Sequence, residues 1–256
     1  MSEGVDSDFM NAYNVLVNLP YMTHITENEK NTFMVMTNNT THEPMLLQEP
    51  NYEPAQYVDN TAYVDNVDRY TLNGITLNME TSNQIIHYQT NMATMIQLGK
   101  WFDYLRENDV YDNTRIILAA DHGRQLFQID ELIYDESLED KGDLIHYSPL
   151  LMIKDFDAEG FEVAEDFMTN ADVPVLATDN LIENPINPFT GKAINNLDKT
   201  THSQFITTSE DYDVLINNGN TFLPSTWYEF SGDNIWDFDN WRFIKEECTI
   251  PAGALE

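Results

Sequence analysis

Residues 113–123, "NTRIILAADHG", join an apolar run from Ile116 to Ala120 to Asp121, His122 and Gly123. A carboxylate oxygen beside an imidazole nitrogen suits zinc, manganese or another divalent ion. Gly123 lets the backbone turn away without a side chain crowding such an ion. The same residues also read more plainly: a strand reaches the surface, Asp121 caps the next segment, and His122 is an ordinary polar residue. Position favours the metal, because ligands collect beyond the carboxyl ends of strands in open parallel sheets. His42, in "TNNTTHEP", comes after a second apolar run. If both strands run parallel in one sheet, His42 opens onto the same edge, where an imidazole can hold a substrate oxygen. The alternative is a loop histidine bonded to its neighbours. Arg124 is placed to pair with an oxyanion, or is simply exposed. His146 and His202 are candidates to support the site or are structural, while His24 and His87 carry no signal.

A nucleophile is harder to find. There is no G-x-S-x-G elbow, no G-x-x-x-x-G-K-[ST] loop and no G-x-G-x-x-G. Cys248, in "ECTIPAG", has no histidine close in sequence and reads as a small apolar residue.

These residues need a scaffold. "DFMNAYNVLVN" spaces Phe9, Tyr13 and Leu16 at helical intervals, with Asp6 or Ser7 as N-cap. "NTFMVMTNN" reads as a buried strand running into the proline-broken loop "TTHEPMLLQEPNYEP". Asn73-Gly74 suggests a hairpin turn. The clearest helix covers 83–107, with Ile85, Tyr88, Met92, Met95, Phe102 and Leu105 as its apolar stripe. A polar turn and the strand Arg115–Ala120 come next, the αβ half of a βαβ unit in a parallel sheet. "YSPLLMIKDF" is a second buried strand, and Asp172 before Val173-Pro174 N-caps a helix. "NPINPFTGK" is a loop, and the aromatic C-terminal part reads as strand-rich. The expected architecture is α/β: a doubly wound, mostly parallel central sheet with helices on both faces and a strand-rich C-terminal region. Residues 1–256 read as a single domain.

The 256 residues carry 44 acidic and 12 basic side chains, a net charge of −32. Such a surface repels nucleic acid and anionic membranes, which excludes both as partners. One cysteine precludes an intramolecular disulfide. No run approaches the roughly twenty apolar residues that cross a bilayer. The start, "MSEGVD", lacks the basic and apolar regions of a signal peptide, so the chain as given reads as soluble and not exported.

The run "IQLGKWFDYLRENDVYDNTRIILAADHG" resembles the sulfatase-like branch of the alkaline phosphatase superfamily. Those enzymes carry a helix of form L-G-x-[FW]-x-x-x-L, a Y-D-N-T turn and a strand ending D-H-G. "YSPLLMIKDF", "DVPVLATDNLI" and "NPFTGK" come after it in the family's order, and "TNNTTHEP" matches the place of a substrate-side histidine. The resemblance spans about residues 35 to 192. It implies that Asp121 and His122 ligate a divalent metal (Mn, Mg, Zn or Ca) and that His42 contacts substrate. The chemistry implied is cleavage or transfer at a phosphate or sulfate ester. The lipoteichoic-acid-synthase-like and phosphoethanolamine-transferase-like enzymes, with a threonine nucleophile, are the nearest in kind. The family places its nucleophile and an acidic ligand well upstream. Only about thirty residues precede "TFMVMTN" here, and they hold no such pattern.

The expectation is therefore the C-terminal part of a catalytic domain that lacks its nucleophile-bearing segment. It would be either a fragment of a longer, membrane-anchored protein at the extracellular face of a bacterial membrane, acting on a small-molecule or cell-envelope ester, or a degenerate relative. Without that segment the chain would be inactive. The alternative is a non-catalytic module of the same fold binding a glycan or a protein, with Trp227, Trp236 and Trp241 as a stacking face; those tryptophans equally suit a core.

Overall fold

In the computed structural model the described residues are 5–27, 31–72, 74–135, 138, 142–195, 199, 201–208 and 225–248. The chain divides into two compact units, Met1–Thr114 and Arg115–Glu256.

The first unit is helical with long irregular connections. Helix α1 (Ser7–Val17) starts where expected, because the Asp6 carboxylate accepts the Asp8 and Phe9 N–H groups at 2.9 and 2.8 Å. Its buried side chains are Phe9, Tyr13 and Leu16. A short α2 (Leu19–Met22) comes next. Thr23, just after it, accepts from Trp101 Nε1 at 2.9 Å and Tyr104 Oη at 3.2 Å. The hairpin expected around Gly74 forms between β1 (Thr71–Leu72) and β2 (Ile75–Thr76), and Gly74 has φ +83°. Asn73 lies outside the described residues.

Helix α3 (Ser82–Glu107) begins with a capping box, Thr81 and Gln84 exchanging bonds with each other's backbone. Its buried face differs from the expected stripe. Of the six apolar positions only Leu105 is buried; Gln84, His87, Gln89, Thr90, Ala93, Gln97 and Leu98 are buried instead. The reason is what the helix covers. Loop backbone at 45–49 needs hydrogen-bond partners, and the helix supplies them. Gln89 accepts the Leu47 N–H at 3.0 Å and donates to Glu49 Oε1 at 2.8 Å. Gln97 donates to the Tyr13 hydroxyl at 2.9 Å. Glu49 is further paired with Arg69, Oε2 to Nε 3.1 Å. Met45, Leu47 and Tyr52 from the loop, Phe9 and Tyr13 from α1 and Ala93 from α3 form the apolar core, with Tyr88 and Met92 at its margin.

"NTFMVMTNN" is not a strand among the described residues. Residues 31–39 are irregular and Phe33, Met34, Val35 and Met36 are exposed, because no strand pairs with them.

The second unit contains β3 (Ile116–Ala119), β4 (Leu151–Lys154), helix α4 (Asp172–Thr178) and the strands β5 (Gln204–Thr208), β6 (Ser225–Phe230) and β7 (Trp241–Cys248). It is mixed α/β, but the doubly wound parallel sheet is not what its described strands form. β3 pairs with β4 antiparallel, Ile116 opposite Lys154 and Ala119 opposite Leu151, and β5-β6-β7 is an antiparallel meander. Parallel pairing needs a crossover that returns the chain to the strand's start, usually through a helix. Between β3 and β4 the described residues hold only 3-10 turns. Nor is β3 fully buried: Ile116 is, Ile117 and Leu118 are half-buried and Ala119 is exposed. Ile153 of β4 is exposed too.

The C-terminal strands carry the aromatic core of this unit, with Tyr228, Phe230 and Trp241 buried beside Phe167, Leu132 and Leu144. Trp227 and Trp241 belong to buried structure, so of the three tryptophans only Trp236 is exposed. Cys248 ends β7, and its side chain is not among the described ones.

Helix α4 lies along β3 and is tied to both of its ends. Arg115 donates to the Leu176 and Asp179 carbonyls at 2.9 and 2.7 Å and to Asp155 Oδ1 at 2.8 Å. Asn170 Nδ2 donates to the Ala120 and Asp121 carbonyls at 3.0 and 3.1 Å. The helix begins one residue earlier than expected: Ala171 is the N-cap, and Asp172, already helical, accepts the Thr169 N–H at 2.7 Å and pairs with Lys199 at 3.1 Å.

The two arginine pairs can each be tested by substitution. Arg69→Met leaves Glu49 buried without its cation and costs about 3–5 kcal/mol in urea unfolding, whereas an exposed pair would cost under about 1 kcal/mol. Arg115 holds the Asp155 carboxyl below the usual carboxylate range. A depressed folded-state pKa gives stability that is present at neutral pH and lost as pH falls through that lowered pKa. Asp155 is half-exposed, so Asp155→Asn costs under about 1 kcal/mol at pH 7 and nothing in strong acid. A gap between variant and wild type that persists at low pH would refute the pairing.

Candidate functional site

The segment after β3 is shaped by one close approach. The Ala120 N–H still bonds the Leu150 carbonyl at 2.9 Å, so strand pairing runs one residue beyond β3. Then the Gly123 N–H donates to the His146 carbonyl at 2.8 Å. A Cβ on Gly123 would stand 2.1 Å from the Ile145 carbonyl oxygen. Glycine is required here by proximity to a facing peptide.

The facing peptide belongs to the 3-10 turn Leu144–Tyr147. Asp143, buried ahead of it, accepts the Leu126 and Phe127 N–H groups, both at 2.8 Å, and the Ile145 N–H at 3.2 Å. One carboxylate thus joins the chain leaving the site to the turn that supports it. Tyr147 packs on Tyr228 at 5.2 Å and on Trp241 at 6.4 Å, which anchors the turn to the C-terminal sheet.

Asp121 and His122 project from this frame. Asp121 Oδ1 accepts the His122 N–H at 3.0 Å, which turns Oδ2 toward His122 Nε2, 3.7 Å away. His122 Nδ1 lies 2.7 Å from the Gly123 carbonyl oxygen. That oxygen only accepts, so the contact calls for a proton on Nδ1, which in the neutral ring leaves the lone pair on Nε2. The Asp121 side chain is 89% exposed and that of His122 46%. A carboxylate oxygen and an imidazole lone pair at this separation fit two positions of a divalent ion's coordination shell. Among the described residues no three His, Cys, Asp or Glu side chains converge to complete one.

The other sequence candidates fall differently. Arg124 is exposed and close enough to His146 to depress its pKa, after burial and the His122 ring, the larger causes. His42 belongs to the first unit, where its Nδ1 pairs with Glu43 at 2.9 Å and its side chain is 64% exposed. His202 is exposed, His24 is exposed and His87 is buried in α3. Three residues that shape this region, Arg115, Asp143 and Asn170, are not among the sequence candidates, and only Arg115, a charge opening an apolar strand, gives a signal that could mark it.

Gly123→Ala drives a methyl into the Ile145 peptide and is expected to cost about 1–3 kcal/mol by thermal unfolding. An alanine variant as stable as wild type would mean that the turn stands off from the segment.

A search of the curated proteins and of the solved structures finds no match. The family model described as Sulfatase matches residues 9–175, a stretch that runs from α1 through the Asp-His-Gly segment to α4. At that level the activity is sulfatase-like ester hydrolysis, and the chain belongs to the sulfatase family.

Proposed function

We propose that the chain carries part of a metal-dependent site for hydrolysis or transfer at a sulfate or phosphate ester, with Asp121 and His122 as metal ligands. The observation that carries this reading is the His122 ring: its Nδ1 is committed to Gly123, and Nε2 stands 3.7 Å from the Asp121 carboxylate. A bound divalent ion would supply Lewis acidity to the ester and ionise a hydroxyl nucleophile. Arg124, beside the ligands, is assigned to the ester's anionic oxygens. His42 is assigned to substrate on the family resemblance. No nucleophile is assigned in this chain, so the proposal is tested by binding, not turnover.

Within the family we favour the lipoteichoic-acid-synthase-like and phosphoethanolamine-transferase-like branch, and with it a cell-envelope phosphoester. The order of the motifs from "TNNTTHEP" to "NPFTGK" supports that choice. The net charge of −32 opposes an anionic substrate, so the metal and Arg124 must reverse the field locally. No described helix is long and apolar enough to cross a membrane.

The test is calorimetric titration with manganese and zinc in about 0.15 M salt, which screens loose attraction to the acidic surface. Wild type is expected to bind one ion, and Asp121→Ala/His122→Ala to bind none at that site. Equal binding by both proteins, or none by wild type, would sink the metal reading.

A further inference from the structure

The turn facing Asp121 and His122 carries a second imidazole, His146, that has no part in the function proposed above. Three contacts tie it to the Asp-His-Gly segment. Its backbone carbonyl accepts the Gly123 N–H at 2.8 Å. Its ring Nδ1 lies 3.3 Å from the Gly123 carbonyl oxygen, the same oxygen that His122 Nδ1 reaches at 2.7 Å. Its ring centroid stands 5.0 Å from that of His122, the planes inclined by 51°.

A carbonyl oxygen has two lone pairs and no proton, so it can accept from both rings at once. Each ring must then carry its proton on Nδ1. His146 is itself held from behind, its ring 5.0 Å from that of Tyr147, which packs on Tyr228 and Trp241. An imidazole attached only through its side-chain bonds has a broad, roughly two-fold torsion at the ring. Left alone, His122 could present either nitrogen. With the Gly123 peptide fixed and a second ring against it, one orientation is retained.

We propose that His146 is a positioning residue for His122: it fixes the Gly123 peptide and flanks the His122 ring, so that His122 keeps its Nδ1–H tautomer and turns its Nε2 lone pair toward Asp121. This rests on the reading of Asp121 and His122 as metal ligands, since that reading gives the retained tautomer its use. Partners that orient a ligating histidine in this way typically contribute about 10–100-fold in metal affinity.

The test uses the full chain with ring-¹⁵N histidine. The His122 ring nitrogens are read by two-bond ¹⁵N–¹H correlation above the imidazole titration range, and manganese affinity by calorimetry. The set is wild type, His146→Ala, His146→Phe, which keeps a ring without a donor, and His146→Asn, which keeps a donor near Nδ1. Wild type is expected to show His122 protonated on Nδ1 alone, and His146→Ala a mixture of tautomers with about tenfold weaker manganese binding. His146→Phe and His146→Asn are expected to fall between the two. If His146→Ala does not fold, these two carry the comparison. A single Nδ1–H tautomer with unchanged affinity in every folded variant overturns the proposal and leaves His146 structural. So does a wild type whose His122 is mixed or protonated on Nε2. A wild type that binds no manganese overturns the metal reading, while the tautomer still decides the role of His146.

Discussion

A strand that ends on a carboxylate and an imidazole has to be held at its last peptide, and in the second unit that peptide is Gly123. Its N–H is taken by His146, its oxygen by His122, and its Cα approaches Ile145 too closely for a side chain. The directions of Asp121 and His122 depend on this one contact. The turn that makes it rests on burial: Leu144 is fully buried and Tyr147 lies against Tyr228 and Trp241. A hydrogen bond of this kind contributes about 1 kcal/mol net, while burying one large apolar side chain contributes about 1.5–3 kcal/mol. The polar bonds therefore aim the site, and the aromatic core keeps the aiming parts in place.

The strand itself is held lengthwise. Five steps from Arg115 to Ala120 span about 17 Å, and the nine from Asn170 to Asp179, mostly helical, about 14 Å. The two segments nearly match, so Arg115 and Asn170 can reach across at opposite ends. β3 thus gains from α4 the constraint that flanking strands would provide in a wider sheet. Its one partner among the described strands, β4, would otherwise leave a two-stranded ribbon of marginal stability.

What the sequence made legible was local. α1 and α3 carry their caps within three residues of their starts, and both helices form. The C-terminal aromatic strands form as well. The Asp-His-Gly triplet was visible because its parts are adjacent, and the family match runs through it. The failures share a different cause. The buried face of α3 is polar because its partners, Leu47 and Glu49, lie about forty residues away, and helical periodicity says nothing of them. The direction of β4 depends on the route between strands, which an apolar run does not encode. Phe33 to Met36 have the composition of a strand, but among the described residues no strand pairs with them. The fit of Gly123 against Ile145, and with it the place of His146, joins residues more than twenty positions apart.

The Asp143 carboxylate closes residues 126–143 into a loop whose two ends meet at a single side chain. Doubling the length of a closed flexible loop costs only about 0.6 kcal/mol. Leu132 and Tyr134 inside it are held by the aromatic core, so the positions open to change among its described residues are exposed ones such as Asp130 and Glu131, and changes there leave Asp121 and His122 where they are. The arrangement divides the region into a fixed part that presents a carboxylate and an imidazole and a replaceable part beside it. Sequence can drift in the second without the first being rebuilt.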